Sequence, residues 1–89
     1  MRVFSERLRE LRKNKNLSQK ALAEILKTNN SSICDWECGR TEPDIETLAC
    51  MAIFFDVTSD YLLGLEDETG AKIKNAIYDN HGNITFNQH

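Results

Sequence analysis

Cys34 and Cys38 stand one helical turn apart, and with His81 or His89 they could be drawn as a metal site. Their spacing argues against it. Structural zinc takes a close cysteine pair on a turn plus a second pair, and neither histidine has a neighbour at ligand spacing. No metal and no cofactor is expected. Oxidation of the two thiols would add polarity or charge to the face they share, but inert thiols are the better reading. On a helix turning by about 100° per residue, the same face presents Asn30, Ser31, Cys34, Asp35 and Cys38, opposite Ile33 and Trp36. These side chains form directional hydrogen bonds. The chain has no glycine-rich phosphate loop, no Ser-His-Asp or Cys-His set and no paired carboxylates in a pocket-forming context, so recognition is expected and an enzyme is not.

The elements that must position this face are helical. Phe4, Leu8 and Leu11 recur at i, i+4 and i+7, which is one buried stripe on a helix over about Ser5 to Lys13. Ser18 is an N-cap for a second helix over Gln19 to about Leu26, with Leu17 stapled to Leu22 and with Leu22, Ile25 and Leu26 facing the core. Asn29 caps the third helix, whose inward residues are Ile33 and Trp36, and Gly39 sits where a left-handed C-cap belongs. Trp36 is a core anchor by this spacing and not a base-stacking platform.

After the loop around Pro43, Asp44 caps a fourth helix from Ile45 to about Phe55, with Leu48, Met51, Ala52 and Phe55 inward. Ala49, Cys50, Ile53 and Phe54 fall outside that stripe, which implies a second contact surface on this helix. Thr58 caps a fifth helix closed by Gly64, with Val57 against Leu62. The predicted domain is 1–65 and the acidic segment 66–71 is read as a linker. Residues 72–89 turn β-prone, with Ile73, Ile77 and Tyr78, a turn at Asn80 to Asn83, then Ile84 and Phe86. An isolated hairpin is marginal in water, so this extension either exchanges with a second subunit or is a partly ordered tail.

Composition bounds the possibilities. The chain has 89 residues, 40% hydrophobic and 28% charged, which fits one small soluble domain without a span of roughly 18 apolar residues. No secretory signal is evident at the N-terminus, and three cysteines without one argue for reduced thiols and a cytoplasmic location. The net charge of −3 disfavours a polyanionic partner, but it is unevenly spread. Residues 1–40 hold nine Lys or Arg against five acids, and residues 41–89 hold two against nine. A basic half and an acidic half can orient a molecule on a polyanion, although a merely solvated surface would look similar.

Two short helices joined by a tight turn form a helix-turn-helix unit, whose second helix fits the DNA major groove. The stretches from Leu17 to Glu24, from Ser32 to Arg40, from Pro43 to Leu48 and from Asp60 to Gly64 carry a specific resemblance. In that order and spacing, from about Phe4 to Leu65, the chain resembles the phage repressor/Cro-like helix-turn-helix (XRE) family. The resemblance implies an all-α, five-helix lambda-repressor-like domain that binds double-stranded DNA and regulates transcription.

By family position Asn30, Ser31 and Asp35 would contact bases. Asparagine can pair bidentately with adenine, serine bonds either kind of edge, and aspartate can accept from a cytosine amine. Gln19 looks like the family glutamine that bonds a phosphate, and Arg40 like the basic residue that clamps the backbone. Lys20 and Lys27 could add phosphate contacts or stand as solvated lysines. Arg12 and Glu37 occupy the positions of a partly buried structural ion pair. Two residues depart from the family pattern. Asp35 puts an acid toward phosphates where members often carry Arg, Gln or Lys, and Lys27 replaces the usual turn glycine at a strain of about 1 kcal/mol unless the turn differs.

A homodimer is expected, because one module makes few base contacts and two reading helices about 34 Å apart double them. Its candidate surfaces are Cys50, Ile53 and Phe54 on the fourth helix and Ile77 and Phe86 in the extension. A second reading keeps the fold and drops the DNA, giving an acidic module that binds another protein, like an antitoxin or anti-repressor. Overall charge and Asp35 favour that reading, and Arg12, Gln19 and Arg40 oppose it.

Overall fold

The computed structural model describes residues 2–67, 69 and 71. Among these, the helices are α1 (Arg2–Asn14), α2 (Gln19–Ile25), α3 (Asn30–Cys38), α4 (Ile45–Phe55) and α5 (Ser59–Leu63). Four begin at a side-chain cap. Ser18, Asn29, Asp44 and Thr58 accept from the backbone N–H of Ala21, Ser32, Thr47 and Tyr61 at 3.0, 2.8, 2.8 and 2.9 Å. Each bond satisfies a donor that a helix start leaves unpaired. Asp44 is held below the usual carboxylate range by its hydrogen bonds from Thr47.

The helix ends are equally uniform. Asn16, Lys27, Gly39, Asp56 and Gly64 all adopt left-handed backbone, with φ of 58°, 59°, 81°, 57° and 82°. The next residue in each case donates its N–H to a carbonyl five residues back: Leu17 to Arg12, Thr28 to Ala23, Arg40 to Asp35, Val57 to Ala52 and Leu65 to Asp60. This is the Schellman arrangement, which turns the chain sharply and satisfies orphan carbonyls. Asn and Asp tolerate left-handed backbone through local hydrogen bonding, and glycine has no Cβ to clash. Lys27 has neither advantage. The turn keeps its left-handed residue despite the missing glycine, so the strain is not relieved by a different turn shape.

The core draws on every helix: Phe4 and Leu8, Leu22 and Ala23, Ile33 and Trp36, Met51, Ala52 and Phe55, and Leu62. α1 packs on α3 and α5, α2 on α3, and α4 on α5. Two features differ from the sequence expectation. α1 starts at Arg2, before the expected Ser5, because its first turn is engaged: Val3 lies against Gly64, where a Cβ would approach it to 3.1 Å. Ile25 is exposed and Ala23 is buried in its place. Leu22 and Ala23 are buried and Leu26 packs against the core, and residue 25 points roughly 100° away from the centre of that set.

Glu66 is tied to the helices. Arg7 donates to its carbonyl at 2.7 Å and to that of Tyr61 at 2.6 Å, and Thr58 donates to its side chain at 2.7 Å. The β-prone extension, with Ile73, Ile77, Tyr78, Ile84 and Phe86, lies outside the described residues. Among the described residues no helix is long and apolar enough to cross a membrane.

Candidate nucleic-acid interface

α3 is fastened from behind at its C-terminal end. Arg12 of α1 grips Glu37 bidentately, Nε to Oε2 at 2.6 Å and Nη2 to Oε1 at 3.0 Å, and also donates from Nη1 to the Leu17 carbonyl at 2.8 Å. The side chains are 11% and 4% exposed, so the charges meet out of bulk water. Glu37 holds the Arg12 guanidinium above its ordinary value, chiefly through the hydrogen bond and then through its charge, against the cost of burial. Ser5, buried in α1, donates its Oγ to the Trp36 carbonyl at 2.6 Å. That bond satisfies a helix-end carbonyl and gives α3 a second tether to the same helix.

Gln19 belongs to this cluster. Its amide donates to Glu37 Oε1 at 3.1 Å, which brings the first residue of α2 to the last turn of α3 and leaves the second amide N–H pointing elsewhere. Arg40, just beyond Gly39, lies at the same end of α3. Lys27 stands at the other end, in the turn that leads to Asn29. Lys20 is exposed beside Gln19. The four residues expected at phosphates therefore bracket α3, Gln19, Lys20 and Arg40 at its end and Lys27 at its start.

Between these brackets, Asn30 and Ser31 are exposed and Cys34 and Asp35 half-buried, while Ile33 and Trp36 point into the core. Asp35 is paired. Its Oδ1 accepts from Arg40 Nη1 at 3.1 Å, with the two side chains 36% and 68% exposed. One residue expected at bases and one expected at phosphates thus engage each other in the free protein. Cys34 and Cys38 bring their Sγ atoms to 4.0 Å. The hydrogen bond with Cys38 holds the Cys34 thiol above its ordinary range, its charge, burial and Asp35 act in the same direction, and Arg40 opposes them.

On α4, Ile45 and Ile53 are 85% and 79% exposed, and Ala49 between them and Cys50 beside them are open as well. Phe54 behaves differently. Its ring is half-buried, edge-on to Phe55 at 4.9 Å between centroids, with the Lys15 ammonium 5.2 Å above it. Two contributors were not anticipated from the sequence. Ser5 is a polar residue inside an apolar stripe, and its role depends on a carbonyl 31 residues away. Arg7 stacks on Tyr61 at 4.1 Å while capping the end of α5. Only the exclusion of Arg7 from the apolar stripe was visible in the pattern.

This geometry has relatives. HTH-type transcriptional activator BcrR of Enterococcus faecalis is 45% identical over 64 residues, covering 72% of this chain and 31% of that protein. HTH-type transcriptional regulator AnsR of Bacillus subtilis is 43% identical over 63 residues, covering 71% of this chain and 54% of that protein. The chain thus spans only about a third and about half of these curated relatives. Among solved structures, the c2 repressor of Salmonella phage P22, crystallised with a synthetic operator, superposes with a TM-score of 0.65 at 32% identity. That match covers 70% of this chain and 94% of the repressor chain. A family model described as a helix-turn-helix domain matches residues 5–68. With its capped α2 and α3, its tethered α3 and these matches, the chain belongs to the helix-turn-helix domain family, of the phage repressor/Cro-like (XRE) type.

Proposed function

We propose that the chain is a sequence-specific double-stranded DNA-binding transcriptional regulator that sets α3 in the major groove. The observation that carries this reading is the contrast across α3: its back is locked by Arg12, Glu37 and Ser5, and its front offers the short polar side chains of Asn30, Ser31 and Asp35. A helix held this rigidly can present base-reading groups without paying further ordering cost on binding. Asn30 pairs with adenine, Ser31 bonds a neighbouring edge, and Asp35 accepts from a cytosine amine. Gln19, Lys20, Lys27 and Arg40 contact phosphates on either side.

The protein acts as a homodimer in the cytoplasm, and its role is recognition, not catalysis. Ile45, Ala49 and Ile53 line one face of α4 at i, i+4 and i+8, an apolar stripe that a lone domain leaves in water. Pairing two copies there doubles the base contacts on a palindromic site. Ile53→Asp is expected to shift the species seen by analytical ultracentrifugation from dimer to monomer. A fully dimeric variant would take α4 out of the interface.

The decisive experiment selects bound sequences from a random duplex pool across a salt series. Enrichment of a palindrome, with affinity falling steeply as salt rises, is the expected result. Negligible binding at low salt would overturn the DNA reading and favour a protein partner for the surface around Asp35.

A further inference from the structure

The two thiols on the front of α3 are not used by the reading proposed above. Cys34 and Cys38 sit with their Sγ atoms 4.0 Å apart, one half-buried and one exposed. A disulfide needs Cβ atoms about 3.8 Å apart, whereas residues four apart on an intact helix hold theirs about 5 to 6 Å apart. Oxidation to an internal disulfide would therefore unwind α3. Four-coordinate zinc needs two further protein ligands, and among the described residues no group of three or more His, Cys, Asp or Glu side chains could hold an ion.

A soft cation satisfied by two or three ligands meets neither obstacle. Two metal–sulfur bonds of about 2.3 Å span about 4.0 Å when they meet at ~120°, the three-coordinate angle, and about 4.6 Å when collinear, so the sulfurs as they stand fit a three-coordinate ion whose third ligand is a neutral one from solution. Thiolates select soft ions of this kind, Cu(I) among them, over hard or borderline ones.

We propose that Cys34 and Cys38 form a two-thiolate site for a soft, thiophilic cation such as Cu(I), and that filling it opposes DNA binding. The second clause rests on the DNA reading of α3 given above. On binding, two S–H bonds break, two metal–sulfur bonds form and two protons leave to solvent. A monovalent ion held by two thiolates carries one net negative charge. That charge would stand next to Asp35, on the face that must approach phosphates.

The test titrates the reduced, anaerobic 89-residue chain with Cu(I) against a chromophoric Cu(I) chelator, with circular dichroism recorded for every variant. The wild type should take up one ion per chain. Cys34→Ser and Cys38→Ser should each weaken binding by at least about tenfold, the lower end of what disturbing a metal's surroundings costs, and Cys50→Ser should leave it unchanged. No uptake, uptake that survives both substitutions, or uptake lost with Cys50 would overturn the site. Adding Cu(I) to the protein on its selected duplex should release it, and release should fail in Cys38→Ser. DNA affinity indifferent to bound Cu(I) would overturn the opposition to DNA while the uptake data uphold the site. A chain that takes up Cu(I) but binds no duplex at any salt concentration would instead sink the DNA reading of α3, again leaving the site in place.

Discussion

The back and the front of α3 each carry an ion pair, and the two are built for different ends. Behind the helix, Arg12 and Glu37 meet through two bonds, and the cluster extends to Leu17 and Gln19, almost without water. In front, Asp35 and Arg40 share one 3.1 Å contact in solvent, five residues apart on the same chain end. Water screens the outer pair, so its net worth is small and it can be traded for a phosphate or a base at little cost. The inner pair cannot be traded, because a lone charge left at that depth has no solvent to repay it. Fixed geometry behind and exchangeable contacts in front are what a reading helix requires.

This comparison can be broken at its strongest point. Glu37→Ala strands Arg12 and should cost about 3 to 5 kcal/mol of unfolding free energy in a urea titration. Replacing both partners, as in Arg12→Met with Glu37→Leu, should recover much of that loss, since the stranded charge and not the missing bond is the penalty. A double variant no more stable than Glu37→Ala would mean that the pair's own attraction dominates.

Asn30→Ala probes the front. It should leave stability within about 0.5 kcal/mol of wild type while blurring one base position of the selected duplex, at a cost of about 1 to 3 kcal/mol in binding. Equal loss on all sequences would reassign Asn30 to the DNA backbone. Lys27→Gly should raise stability by about 1 kcal/mol, because glycine takes φ of 59° without the clash a Cβ brings. It should also weaken DNA binding slightly and reduce the salt slope if Lys27 meets a phosphate.

Asp35→Asn should also change stability little, by less than about 1 kcal/mol, because the pair it breaks is screened by water. Its DNA affinity should rise, since the change frees Arg40 and removes a charge that phosphates repel. Lower affinity together with a lost preference at one base pair would show that Asp35 reads a cytosine.

Much of the scaffold was legible because its signals are local. A cap needs a side chain to reach three residues along, and a Schellman turn needs a residue that accepts left-handed backbone four residues after its partner carbonyl. Ser18, Asn29, Asp44 and Thr58, with Gly39 and Gly64, therefore mark helix limits that the structure keeps. Local rules also failed at predictable places. Ile25 fits an apolar stripe, but which part of a short helix turns inward depends on the helix packed against it. Phe54 lies off the apolar stripe of α4 yet folds back edge-on to Phe55, which periodicity cannot register.

The candidate interface divides along the same line. The sequence by itself determined which side chains share the front of α3, since 100° steps and two buried residues, Ile33 and Trp36, fix the helix's rotation. It also determined the order of the helices, through stripes and caps that each close within a turn or two. Only the tertiary structure decided how α3 is held before a partner arrives: Arg12 and Gln19 bound to Glu37, and Ser5 reaching the Trp36 carbonyl. The reason is physical. Helix limits and faces follow from bonds between near neighbours, whereas a side chain's hydrogen-bond partner is chosen by the distances that packing imposes on residues far apart in the chain.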